Sequence, residues 1–184
     1  MNNRLANLRR VITTNVTGRS TVLIDGPPAA SIQWGEDAGL FDIWADDGIQ
    51  AIPEFLAADK QPKVVLEPPA GGVKVRWFSI APDDPSKTTA TLSREASEAF
   101  DEMGAGHARP DTSRHPGMHT TQTIDAIIVI SGAVRLILDD AEALLMPGDV
   151  VIQRATNHAW AAIGDQPALM VAVLIDRPEQ GVWS

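Results

Sequence analysis

The chain contains no cysteine and no tyrosine. Without thiols there is no disulfide staple, no thiolate nucleophile and no zinc–thiolate site. Without phenols, one common general acid or base is unavailable for proton transfer. Long apolar runs are missing as well, since no stretch approaches the ~18 residues a helix needs to span a bilayer. The opening residues MNNRLANLRRVITT lack the apolar core and small-residue cleavage site of a secretory signal, so a cytoplasmic location is expected. Positive charge is also scarce. With 15 Lys and Arg against 24 Asp and Glu, the formal charge is −9, which disfavours an electrostatic grip on nucleic acid or anionic lipid. The small basic group Arg4, Arg9 and Arg10 does not reverse that balance. A neutral or cationic small molecule, or a metal cation, suits it better, and neither nucleic acid nor a membrane is expected as a partner.

What is present is an ordinary globular composition, 44% hydrophobic and 21% charged over 184 residues. A chain of that length buries about 70% of its unfolded surface, enough for one domain with a proper core. The N-terminal part, residues 1–90, reads as short strands between turn signals. Strands are expected at Arg9–Thr13, Ser20–Asp25 and Gly39–Ala45, with breaks at Gly26-Pro27-Pro28 and Asp46-Asp47-Gly48. Residues 57–72 are rich in Pro, Lys and Gly and read as irregular chain before a strand at Val73–Ile80. One short helix is expected over 91–104, capped by Thr91 or Ser93, with Glu95 near its positive end and Gly104 as its stop. Leu92, Ala96, Ala99, Phe100 and Met103 recur along it at helical spacing.

Downstream the pattern changes to closely spaced strands: Ile124–Ile130, Ala133–Leu138, Ala143–Met146, Val150–Gln153, His158–Ile163 and Ala168–Ile175. Six short strands with no βαβ alternation define an all-β sandwich or barrel. Side chains alternate faces with period two. His119 and Asp125 therefore share a face with Thr121, Thr123, Ile127 and Val129. The opposite face, Ile124, Ala126, Ile128 and Ile130, is apolar too and needs a cover. The N-terminal strands or a second subunit would provide it, and a homodimer is expected.

Two segments resemble the motifs of the cupin superfamily. Gly117-Met118-His119, then Asp125 and Gly132, is similar to the first motif; Pro147-Gly148-Asp149, then Gln153, His158 and Trp160, is similar to the second. The resemblance covers roughly residues 115–175. It implies a cupin-type double-stranded β-helix, a jelly-roll barrel, with the N-terminal strands as an extension packed on it. It also implies a divalent metal (Fe, Mn, Ni or Zn) at His119, Asp125 and His158. The match is incomplete. Gly117 stands where the family has its first histidine, one extra residue separates His119 from the carboxylate, and that carboxylate is Asp rather than Glu. Asp125 either binds metal directly or orients a histidine from behind. His115 or Gln153 is available to replace the missing ligand.

Two histidines and a carboxylate leave metal positions open for substrate. The implied activity is metal-dependent chemistry on a small organic acid or carbonyl compound, as in a decarboxylase or oxygenase. Gln153, Trp160 and His115 are the candidate substrate-binding residues. The competing reading is a non-catalytic cupin that binds or senses a small-molecule ligand. Epimerase- and lyase-type cupins depend on a tyrosine that this chain lacks. Arg135 is expected to face solvent, Trp34 and Trp44 to pack on the barrel exterior, and His107 and Arg109 to lie in a loop beside the first motif.

Overall fold

The computed structural model describes residues 4–47 and 63–177. Within them β1 (Arg10–Val16) and β2 (Arg19–Gly26) form a separate hairpin. A six-stranded sheet runs in the order β3 (Ala30–Gln33), β4 (Gly39–Asp46), β5 (Val73–Ile80), β11 (Ala168–Asp176), β6 (Thr123–Ser131), β9 (Val150–Arg154). A three-stranded sheet has the order β10 (His158–Ile163), β7 (Ala133–Leu138), β8 (Glu142–Leu145). Every pairing is antiparallel. Among the described residues one α-helix, α1 (Thr89–Glu102), lies between β5 and β6 in the chain. The class is all-β, with successive strands such as β6 and β7 divided between two sheets as in a jelly roll.

The core forms where the inner faces of the two sheets meet. Phe78, Ile127 and Met170 of the large sheet pack with Val134, Leu136 and Trp160 of the small one. Val134 and Met170 are wholly inaccessible, and each such side chain contributes roughly 1.5–3 kcal/mol of burial energy. Alternation selects these residues. In β6 every odd position from Thr123 to Val129 is buried, while the even positions are half-buried or exposed. Gly132 turns the chain from β6 into β7 at a φ of +75°, a conformation that costs glycine little.

Strands Val73–Ile80, Ala133–Leu138 and His158–Ile163 fall where the alternation places them, and the other expected strands agree within a few residues. β3 was not foreseen, because ASIQ carries too little apolar pattern to announce a strand. Its partner β4 pairs with β5, so these N-terminal strands lengthen the large sheet edge to edge. β1 and β2 form a hairpin of their own, while β3 and β4 extend the large sheet rather than cover it. Their backbone groups satisfy an edge of β5 that would otherwise lie open. Part of the outer face is covered instead by the 3₁₀ turn Arg4–Asn7, whose Leu5 packs on Phe41 and Leu169.

The helix begins earlier than expected. Its cap is Thr88, whose hydroxyl accepts from Thr91 N at 3.2 Å, rather than Thr91 or Ser93. Glu95 consequently sits too deep in the helix to meet its positive end and pairs with Lys87 at 2.8 Å. Gly104, with φ +71°, ends the turn as expected. Of the irregular stretch 57–72, residues 57–62 lie outside the described residues, as does Gly48 of the expected turn. No described helix is long and apolar enough to cross a membrane.

Candidate functional site

A cavity of about 190 Å³ is lined by both sheets and by α1. His119, Asp125, His158 and Trp160 all border it, so the inward face assigned by strand parity is the one that meets the cavity.

His119 and His158 form a paired feature of its wall. They face each other in an isolated antiparallel bridge, exchanging both backbone hydrogen bonds at 2.9 Å. The two rings therefore lie side by side, with centroids 4.4 Å apart. His119 Nδ1 is 3.0 Å from Gly117 O, and His158 Nδ1 is 2.9 Å from Thr156 O. A carbonyl oxygen only accepts, so each Nδ1 carries the proton and each Nε2 is left as a lone-pair donor. Burial, with the neighbouring His158 as the next contribution, pushes the His119 pKa down to about 3. Burial lowers His158 as well. Both rings are neutral near pH 7, the state in which imidazole binds a metal.

Asp125 occupies a different part of the wall. Six residues of extended chain reach up to ~20 Å, and although the backbone bends at Gln122, the hydroxyls of Thr121 and Thr123 fill the gap, 2.7 Å apart. In register Asp125 lies opposite Gln153 and Leu174, whereas His119 lies opposite His158. Among the described residues, no group of three His, Cys, Asp or Glu is placed to hold a metal ion. The expected set of His119, Asp125 and His158 thus shares a cavity without closing into a three-ligand centre. Burial raises the Asp125 pKa to about 6, opposed by the Thr123 hydroxyl and by the charge of Arg76.

The proposed substrate-binding residues divide. Trp160 borders the cavity and makes edge contacts with Phe78 and His158. Gln153 is buried beside Asp125 as its cross-strand partner and does not border the cavity, and its Oε1 accepts from Thr156 Oγ1 at 2.5 Å. His115 lies off the wall. Its Nδ1 accepts from Gly117 N at 3.0 Å and its Nε2 is 3.8 Å from Asp83. His115 shapes the Gly117 turn.

Sequence reasoning missed several wall residues. Trp34, expected on the exterior, borders the cavity, as do Phe100 of α1 and Met103 at its C-terminal cap. Arg76 borders it from β5, with only 2% of its surface exposed. Its Nη2 donates to Val65 O at 2.6 Å and lies 2.8 Å from Asp42 Oδ1. Parity carried the signal for Arg76, since Lys74, Arg76, Phe78 and Ile80 share one face of β5. Arg135 is solvent-facing as expected, 3.7 Å from Glu142. His107 lies 3.6 Å from Glu67, and Arg109 sits over the Phe100 ring and donates to Pro116 O.

A two-sheet jelly roll with a histidine-lined internal cavity defines the class. Residues 105–174 match the family described as a cupin domain, and over that stretch the chain is similar to the cupin superfamily. It is similar to the cupin-domain-containing oxidoreductase fogC of Aspergillus ruber, 38% identical over 63 residues, which is 32% of this chain and 31% of that protein. A second similar protein is the cupin-domain-containing oxidoreductase srdD of Neurospora crassa, 41% identical over 66 residues and 34% of each chain. The match thus spans about a third of the length of these curated relatives. Among solved structures, a cupin 2 conserved barrel domain protein from Salinispora arenicola superposes with a TM-score of 0.41 and 16% identity, over 76% of each chain.

Proposed function

We propose that this cupin is a metal-dependent enzyme acting on a small organic acid or carbonyl compound bound in the cavity, of oxidoreductase or decarboxylase type. The observation that carries the reading is the fixed tautomer of the histidine pair. Each Nδ1–H is tied to a backbone carbonyl, so two neutral imidazoles present Nε2 side by side. Metal-ligating histidines are oriented by such outer hydrogen bonds. His119 and His158 would hold the ion, of iron, manganese, nickel or zinc type, and the remaining positions would be left to substrate and solvent. A bound metal supplies Lewis-acid polarisation of a carbonyl or carboxylate, or activation of water or dioxygen. Asp125 faces the same space from the large sheet, where it acts on the ligand rather than on the ion. The names of the two fungal relatives support the oxidoreductase form.

Elemental analysis of the untagged protein, as purified and after reconstitution, tests this beside His119→Ala and His158→Ala. About one equivalent of metal is expected in the wild type, lost in both variants. A chain that takes up no metal under either condition sinks the reading. A non-catalytic ligand-binding cupin then becomes the better account, favoured by the missing third protein ligand among the described residues.

A further inference from the structure

A guanidinium sunk in an apolar wall is costly unless its charge is paired and its N–H groups are bonded. Arg76 meets the first condition but not the second. Asp42 neutralises it at 2.8 Å, and Val65 O takes Nη2. Nε and Nη1 have no hydrogen-bond partner, although the side chain is only 3% exposed and borders the cavity. Asp125 shows the complementary defect, since its Oδ1 is buried without a partner. The two residues sit diagonally across β11, Arg76 opposite Ala172 and Asp125 opposite Leu174. Ala172 also borders the cavity, and its methyl group leaves room between them. Unmet donors and an unmet acceptor therefore face one small space.

We propose that Arg76 and Asp125 form the polar anchor of the cavity and recognise the carboxyl group of a monocarboxylic acid. The proposal rests on the reading of this cavity as a small-molecule site and specifies the ligand class. A bare carboxylate satisfies Arg76 but repels an ionised Asp125, and an alcohol leaves most of the guanidinium hydrogens unmet. A carboxyl group that shares one proton with Asp125 closes both defects. One oxygen accepts from Arg76, and the other is bridged by the proton to Oδ1. Lys74 does not compete, because its Nζ is spent on Val65 O at 2.8 Å and Glu67 O at 2.7 Å. The rest of the ligand is apolar and short. Trp34, Phe100 and Trp160 border the space, and an engineered protein cavity of about 150 Å³ holds benzene. The cavity's volume, about 190 Å³, thus suits one ring with a short arm. Its far end would then reach the histidine pair.

Calorimetric titration with benzoate and phenylacetate, beside benzamide and phenylacetamide, tests the anchor. The proteins are the wild type, Arg76→Lys, and the double variant Arg76→Met/Asp42→Asn, which removes the ion pair without stranding a charge. Thermal melts followed by circular dichroism confirm that each is folded. The acids are expected to bind the wild type about tenfold or more tightly than the amides, and the double variant is expected to lose that preference while still binding the amides. Equal binding of acids and amides by the wild type, or undiminished acid binding by the double variant, overturns the anchor and leaves the small-molecule reading intact. No binding of either class at millimolar concentration overturns both. If the double variant does not fold, the acid-to-amide ratio in the wild type against Arg76→Lys decides, and an unchanged ratio counts against the anchor.

Discussion

Replacing Asp125 by Asn removes a buried titration and should stabilise the protein in a pH-dependent way. The carboxyl group has a folded-state pKa of about 6 against an ordinary value of 3.8, chiefly because burial disfavours its charged form. The folded state therefore binds this proton more tightly than the unfolded chain. Below pH 3.8 both states hold the proton, and the group leaves stability unaffected. As pH rises through 3.8 to about 6, only the folded state retains it, and stability falls. Above about pH 6 the loss is complete. A shift of roughly 2 units corresponds to about 3 kcal/mol. Asp125→Asn keeps the shape and stays neutral, so it escapes this loss and should exceed the wild type by up to about 3 kcal/mol at pH 7.5. The advantage should vanish near pH 4. Urea unfolding of both proteins from pH 4 to 8 measures the difference, and subtracting one curve from the other cancels every other titrating group. In a chain of this size the gain at neutral pH corresponds to a melting temperature about 6–12 °C higher. A difference that does not vary with pH, or an Asn variant less stable than wild type at pH 7.5, would refute the assignment of Asp125 as a buried, desolvated acid.

Three further outcomes follow from the fold. Gly132→Ala should cost about 2 kcal/mol or more, because the site has φ +75° and an added Cβ would lie 2.6 Å from Pro167 O; an unchanged urea midpoint would contradict the geometry. Thr88→Ala should lower stability by about 1 kcal/mol through loss of the α1 cap, whereas Ser93→Ala should leave the melting temperature within about 1 °C of wild type. We also infer a homodimer through the outer face of the large sheet, where Ile130, Val150, Ile152 and Ile175 stand 40–58% exposed. Sedimentation at micromolar concentration should show two chains, and Ile152→Asp should separate them; a monomeric wild type would end that inference.

The sequence by itself determined most of the strands and the inward direction of the main motif side chains, although β3 and the inward placement of Trp34 escaped it. Period-two alternation is local, so Val73–Ile80, Ala133–Leu138 and His158–Ile163 could be read from neighbours along the chain. The same parity set His119 and Asp125 on one inward face, the resemblance to the cupin motifs added His158, and all three border one cavity with Trp160. Tertiary structure decided what parity cannot address, namely how far apart inward-facing residues from different strands lie. Cross-strand register paired His119 with His158 and set Asp125 opposite Gln153, which separates a ligand set that appears contiguous in the motif. Packing of α1 brought Phe100 and Met103 to the wall, although helical spacing shows only that they share an apolar stripe. Arg76 illustrates the division. Its inward direction is legible in the alternation of β5, but its isolation is not. The unmet hydrogens of its guanidinium depend on where Asp42, Val65 and Asp125 fall in space, and those positions come from sheet order and from chain segments far apart in sequence.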